Sequence, residues 1–452
     1  MIRNFKTFLS SDKLKARTLR GALASLWLAG GSQILRFGSN LVLTRLLFPE
    51  AFGLMALVQV ILGGMLMLSD AGLRGSVVQN PRGDDPAFLN TIWSVQILRG
   101  ILLWMVISLL GGVFASIFGR PELVQILPVA ALSLVFRGFH TTKVLTMQRH
   151  MQLGQHASLT LISQVIGLIA TAVLAYALQS VWALVIGMLF QPMAALVLYA
   201  RYLDGIKNRL GWDRASLRDI FNLGKFLTVS SVANYIMDRS DRAVLGTIIA
   251  IDLLGIYGIA LALAMMPMTV AKRIAGSVMF PLYRMRHPVD SLPNRKNLFK
   301  VRRVLIGTGL GLLGIIAFAG PWLIEVLYDD RYIAAGAISV LIAAAFTPRM
   351  LMMGAMHATV AKGDSFSMMM VNLSTALIQI AFLILLVPRF EILGAAIAIG
   401  LARILTYPLA ATYLSKYDCW DKWGDLTFFI VTSGAMSYAL WLHWADILDL
   451  LL

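Results

Sequence analysis

Six basic side chains lie inside stretches otherwise apolar enough to cross a membrane: Arg36, Arg99, Arg137, Lys272, Arg349 and Arg403. A basic residue held at the centre of a bilayer costs about 2.5–3.5 kcal/mol on insertion scales. Six turned toward lipid would cost on the order of 15–20 kcal/mol by that scale, more than the stability of most folded proteins. These groups must therefore point into protein or into water. Five of the six are arginines, whose planar fork meets a phosphate through two parallel hydrogen bonds. The chemistry on offer is anion recognition. No nucleophile–base pair, phosphate-binding loop or His-Glu metal motif accompanies them, and His140 and His156 stand alone without ligand spacing.

Each charge has a structural reading beside the functional one. Arg36 sits about fifteen residues into the first apolar stretch, ~22 Å at a rise of about 1.5 Å per residue and so near the midplane. Asn40 lies one turn further on the same face. A bundle-internal bond to backbone carbonyls is the alternative use of Arg36. Arg99, Arg137 and Arg403 each fall near the middle of a stretch. Lys272 and Arg273 lie nearer an end and could snorkel to the interface. Asp238, Arg239, Asp241 and Arg242 form the densest cluster. Asp238 and Arg242 could neutralise each other four residues apart. Alternatively, Asp238 and Asp241 form an ion pair between bundles or a coupling site. Pro348 and Pro408 predict helix breaks beside Arg349 and Arg403. Arg349 and His357 read as structural, satisfying carbonyls that a break sets free.

Composition sets the medium. The chain has 452 residues, 58% hydrophobic and 14% charged, with a mean hydropathy of +0.77. Soluble domains carry about 25% charged residues, so this is an all-α integral membrane protein. The net charge of +16 belongs to basic loops facing the cytoplasm, not to a nucleic-acid surface. The single cysteine, Cys419, excludes a disulfide within the chain and a cysteine-based zinc site. No cleavable signal peptide is expected in the polar, basic start. Twelve spans are predicted at 22–48, 51–69, 88–118, 123–147, 156–178, 181–202, 223–250, 253–281, 303–328, 332–361, 366–388 and 391–414, and a further apolar segment at 427–444. Placing the N-terminus inside puts the basic segments 3–20, 201–225 and 284–303 in the cytoplasm and leaves little beyond Arg120, Arg331 and Arg389 outside. No connecting loop is long enough for a soluble domain, so function must lie in the membrane.

The chain also repeats itself. Leu43-Thr-Arg-Leu-Leu-Phe-Pro-Glu50-Ala-Phe-Gly53-Leu54 lies over Leu245-Gly-Thr-Ile-Ile-Ala-Ile-Asp252-Leu-Leu-Gly255-Ile256 at a constant offset of 202 residues. Both copies read as a helix end, an acid in a tight turn, and a glycine opening the next helix. Six spans per half make the repeats parallel, a plan in which transporters bind cargo where the halves meet. The predicted organisation is a basic N-terminus at 1–21, six-helix bundles at 22–202 and 223–415, a cytoplasmic linker at 203–222, and a loop with one extra transmembrane or interfacial helix at 416–452.

Arg45-Leu-Leu-Phe-Pro49-Glu50-Ala-Phe52-Gly53, then Asp70-Ala-Gly72-Leu and Gln79, resembles the N-terminal signature of the bacterial polysaccharide-transport (Wzx-like) lipid-linked oligosaccharide flippases. Asp241-Arg242-Ala-Val-Leu-Gly246, Leu254-Gly255-Ile-Tyr257 and Phe280-Pro281 resemble the matching pattern of the second half. The resemblance runs to about residue 415. It implies two parallel six-helix bundles around a central cavity, the fold of the multidrug (MATE) exporters, and transport by alternating access. It further implies the cargo, an undecaprenyl-diphosphate-linked oligosaccharide carried across the bacterial inner membrane, with a polymerase and export machinery as partners. Many relatives have fourteen spans, and this chain departs from them at its C-terminal end. The expected substrate-binding set is Arg36, Asn40, Arg99, Arg137, Arg242, Lys272 and Arg403. No cofactor is expected, and a coupling proton or sodium ion is left open. The rival readings are a multidrug or small-solute exporter of the same fold, which predicts unpaired acids, and a polysaccharide polymerase or ligase, which predicts a large external loop.

Overall fold

The computed structural model describes residues 14–69, 73, 77, 80–150 and 153–449. Residues 1–13 of the basic N-terminus and the Asp70, Gly72 and Gln79 of the resemblance lie outside the described residues. Backbone packing divides the chain into two compact units, one of Met1–Leu47 with Val58–Val232 and one of Phe48–Leu57 with Ala233–Leu452. The described residues are helical and contain no strand.

The first unit contains α1 (Leu14–Leu46), most of α2 (Pro49–Leu68), α3 (Pro86–Leu109), α4 (Gly111–Phe118), α5 (Leu123–Gly138), α6 (Lys143–Arg149), α7 (Leu153–Leu178), α8 (Val181–Tyr202) and the start of α9 (Arg214–Leu245). Local chemistry sets its helix ends. Asp85 accepts from the Ala87 amide ahead of Pro86, which needs no donor at the first helical position. Ser180 caps α8 in the same way. The span predicted at 88–118 is two helices parted at Leu110, and α4 ends on Gly119 at φ 62°. The span predicted at 123–147 is α5 and α6, bent by 60° across residues 139–142.

Half of the predicted linker is fastened rather than free. The Arg209 amide donates to Asn90 Oδ1 at 2.9 Å, Gly211 to Ser94 Oγ at 2.9 Å and Asp213 to Thr91 Oγ1 at 3.0 Å, all on the first turns of α3. The Asp213 carboxylate accepts from the hydroxyl and amide of Ser216 and pairs with Arg82, contacts that lower its pKa to about 2. The remainder, from Arg214, is already α9.

The second unit contains the rest of α9, α10 (Ile251–Ile274), a π-helical turn at Ala275–Met279, α11 (Phe280–Met285), α12 (Leu292–Leu327), α13 (Ala335–Leu351), α14 (His357–Ala361), α15 (Ser365–Ser415), α16 (Lys422–Leu442) and α17 (Trp444–Leu448). α13 is its core: nearly every residue is buried, against α10, α12, α15 and α16. The 51 residues of α15 are two helices meeting at Glu391, φ 45° and ψ −120°, at the boundary predicted between 388 and 391. Pro408 does not break the chain as expected. The backbone stays helical through it, and the non-helical residue is Glu391. Among the described residues nine helices are long and apolar enough to cross a membrane.

The repeat leaves a physical mark inside the second unit. A Cβ on Gly53 would collide with the carbonyl oxygen of Ile251, and one on Gly255 would collide with the carbonyl oxygen of Pro49. Ile251 is Pro49 plus 202 and Gly255 is Gly53 plus 202, so the two hairpin copies meet through equivalent atoms. Beside them the Phe52 ring stands edge-on to Tyr332 at 6.0 Å, and Arg331 lies 4.9 Å from the Phe48 ring centroid.

The extra helix α16 is held by two arginines that the sequence reading placed in a basic cytoplasmic loop. Both belong to α12. Arg302, 1% exposed, bridges to Asp425 at 2.8 Å and donates to the Leu351 carbonyl at 2.7 Å. Arg303 meets Asp421 through two bonds of 2.7 Å. Tyr407 donates to Asp425 at 2.8 Å and accepts from Trp420 Nε1 at 3.0 Å.

Two stability outcomes follow. Gly53→Ala and Gly255→Ala should each cost about 1–3 kcal/mol, because backbone carbonyls cannot yield to an added methyl. Gly258→Ala, with nothing within 4 Å of the added carbon, should be neutral or gain up to about 1 kcal/mol from helix propensity. Denaturation midpoints of the three purified variants check the contrast. Asp425→Ala should cost about 3–5 kcal/mol by stranding a buried guanidinium. Release of α16 would be seen as new protease cleavage near residue 420.

Candidate functional site

In the first unit Arg36 stands on α1 and Arg137 in the last turn of α5, and both side chains are exposed. The two guanidinium groups are near enough for the charge of Arg36 to act on Arg137. Among the described residues neither has a carboxylate or a hydrogen-bond partner. Two like charges within electrostatic reach of each other in a membrane protein repel each other and attract an anion. Asn40, one turn along α1, is half-buried, and its carbonyl accepts from Thr44 Oγ1 at 2.8 Å.

Arg99 is engaged elsewhere. Its Nε donates to Ser69 Oγ at 2.9 Å and its Nη2 to the Leu66 carbonyl at 2.6 Å. These are groups at the C-terminal end of α2, where helix carbonyls lack intrahelical donors. His140 places Nε2 3.1 Å from the Pro192 carbonyl, and its ring packs on Tyr199 with that of His156. Among the described residues no group of three His, Cys, Asp or Glu side chains could hold a metal ion.

The second unit gathers the other residues around α9. Asp238 pairs with Arg349 of α13 and with Lys272 of α10, the latter at 3.5 Å. Both partners belong to the same unit as Asp238. Neutralisation by Arg242 is not what the carboxylate uses, since Arg242 Nη2 reaches only the Asp238 carbonyl, at 3.5 Å. Arg242 Nε has no partner. Arg403 is 9% exposed, and its Nη2 lies 3.1 Å from Met237 Sδ. Asp241 is buried, accepts from the Tyr257 hydroxyl at 2.6 Å, and leaves its other oxygen without a partner. Cations outnumber carboxylates here, with Arg349, Lys272, Arg403 and Arg242 gathered around Asp238.

The structure thus brings Arg36 and Arg137 together in one unit, and Asp238, Arg242, Lys272, Arg349 and Arg403 in the other. Arg99 stands apart from both groups in its bonding. Sequence reasoning missed Gln379, which donates to the Met237 carbonyl at 3.1 Å and to Ser240 Oγ at 3.0 Å and so fixes α15 on α9. A glutamine in the middle of an apolar span was the available signal. It also missed Tyr257 as the partner of Asp241, although both residues stand in the second-half pattern of the family resemblance.

Solved structures share this fold. An inward-facing multidrug resistance MATE family transporter of the MOP superfamily superposes with a TM-score of 0.63 at 14% identity, over 88% of this chain and 98% of that one. The lipid II flippase MurJ, in an inward closed conformation, gives 0.60 at 12% identity over 96% and 99%. Among curated sequences, the teichuronic acid biosynthesis protein TuaB of Bacillus subtilis is 21% identical over 63% of this chain and 58% of its own length. The lipopolysaccharide biosynthesis protein WzxC of Escherichia coli is 24% identical over 68% and 60%, so the chain spans about three fifths of these relatives. The succinoglycan biosynthesis transport protein ExoT of Rhizobium meliloti is 22% identical over 55% of this chain. The polysaccharide biosynthesis protein profile matches residues 42–337. On that match, with the MATE-like helical fold beneath it, the chain belongs to the polysaccharide biosynthesis protein family.

Proposed function

We propose that the protein flips an undecaprenyl-diphosphate-linked oligosaccharide from the inner to the outer leaflet of a bacterial inner membrane, by alternating access, for surface or exopolysaccharide assembly. The observation that carries this reading is the exposed, carboxylate-free pair Arg36 and Arg137. A diphosphate offers several acceptor oxygens, and two guanidinium forks can bind them with more hydrogen bonds than two lysines could. Family membership supports the sugar, and the likeness to the transport protein ExoT and to the lipid II flippase MurJ supports the movement. In this reading residues 22–202 and 223–415 are the two working halves, the N-terminus is cytoplasmic, and a polymerase and export machinery receive the product.

Arg349 and Lys272, bound to Asp238, act as a charge store in the second unit. An exporter of cationic drugs would instead need free acids in its spans. Asp238 is taken by two cations and Asp241 by Tyr257.

No cofactor is needed. The membrane potential, negative inside, favours outward movement of an anionic headgroup by about 2.3 kcal/mol per charge and 100 mV.

Substitution in cells tests the assignment. Arg36→Ala and Arg137→Ala should each abolish surface polysaccharide, while immunoblots show the protein at wild-type level in the membrane. Arg36→Lys should recover only a part, because a point charge cannot make the bidentate contact. Full polysaccharide in the double alanine variant would overturn the site.

A further inference from the structure

A cleft of about 310 Å³ opens inside the second unit between α13, the second half of α15 and α16. Pro348, Leu351 and Arg403 line its deeper part, and Ile404, Leu426 and Phe429 its outer walls. Those three apolar side chains are exposed on helices that belong to the membrane. The cleft therefore faces lipid chains rather than water along this side. Trp420 and Lys422 line its other end, where α16 begins, with Trp423 exposed beside them. Tryptophan and lysine at a helix end mark the membrane interface.

The charges in the cleft do not cancel. Asp425 is consumed by Arg302 at 2.8 Å. Among the described residues Lys422 touches only the Trp423 ring, 5.7 Å from its centroid. Arg403 is nine-tenths buried, and its one hydrogen bond goes to the thioether of Met237, a weak acceptor. Two cations that form no salt bridge among the described residues border an apolar slot whose size, near the lower end of ligand pockets, suits one lipid chain rather than a whole molecule.

We propose that this cleft holds one anionic phospholipid of the surrounding membrane, its phosphate on Lys422 beside Trp420 and one acyl chain along Ile404, Leu426 and Phe429. Arg403 adds its field from the floor of the slot, where low dielectric lets a charge act further. The lipid seals α16 to the bundle at the point where Arg302 and Asp425 already tie it. The site is separate from the Arg36 and Arg137 pair and does not depend on what cargo the protein moves.

Trp420 reports on the occupant directly. The full-length protein is placed in phosphatidylcholine vesicles containing a small fraction of phosphatidylglycerol, with brominated chains on one lipid or the other. The fluorescence lost in Trp420→Phe isolates the Trp420 signal. Brominated phosphatidylglycerol should quench that signal far more, mole for mole, than brominated phosphatidylcholine. Lys422→Gln should weaken the preference about fivefold, the worth of one interfacial cation toward anionic lipid. Ile404→Trp, which fills the slot from its exposed wall, is read by native mass spectrometry and should lose the phosphatidylglycerol that co-purifies with the wild type. Equal quenching by the two lipids, or an unchanged preference in Lys422→Gln, would overturn the proposal. Displacement of phosphatidylglycerol by a lower mole fraction of undecaprenyl diphosphate would also overturn it, by giving the cleft to the transported lipid.

Discussion

A charge inside an apolar span must be paired, wet, or bound to freed backbone, because lipid offers it nothing. All three solutions appear in this chain. Asp238 with Arg349 and Lys272, and Arg302 with Asp425, are paired. Arg99 serves the end of α2 through Leu66 and Ser69. Arg36 and Arg137 are exposed and lack carboxylates among the described residues. That third class is costly to keep for structure alone, since an alanine or leucine at either place would fold more easily. Two such arginines in one unit point to a ligand that supplies the missing negative charge.

The same constraint explains which helices are polar. α1 and α9 open the two repeats, and each carries charged and amide side chains along its length. α1 carries Arg36 and Asn40, and α9 carries the run from Asp238 to Arg242. Their neighbours supply what lipid cannot: the Tyr257 hydroxyl for Asp241, the Gln379 amide for Met237 and Ser240, and two cations for Asp238. The repeat thus has a charged helix at the start of each half, with Arg36 in the first at the position that Asp238 takes 202 residues later.

Much of the fold was legible because hydropathy and repeats act over many residues. The offset of 202 was visible in the sequence, and the reciprocal contact of Gly53 with Ile251 and Gly255 with Pro49 is its physical counterpart. The break at 388–391 was legible from the dip in apolarity, whereas Pro408 misled, because one lost hydrogen bond need not bend a packed helix. The 60° bend between α5 and α6 falls in the polar stretch Arg137-Gly-Phe-His-Thr-Thr-Lys143, which the single predicted span 123–147 ran straight through. Embedded arginines could be found from sequence, but not their partners. Arg99 and Arg137 look alike in a row of letters, and only packing separates the one bound to Ser69 from the one beside Arg36. Arg302 failed for a related reason: a basic residue near a loop reads as solvated until the partner, 123 residues later at Asp425, is placed against it.

The central claim is that the arginine pair of the first unit receives a diphosphate headgroup and that the membrane potential moves it. The most direct measurement is flipping of a labelled undecaprenyl-diphosphate oligosaccharide by purified protein in vesicles, with potential and pH gradient imposed separately. Wild-type protein should respond to the potential at zero pH gradient, and the Arg36→Ala, Arg137→Ala double variant should fall to the protein-free rate. Wild-type transport that follows the pH gradient at zero potential, or a double variant as fast as wild type, would contradict the account.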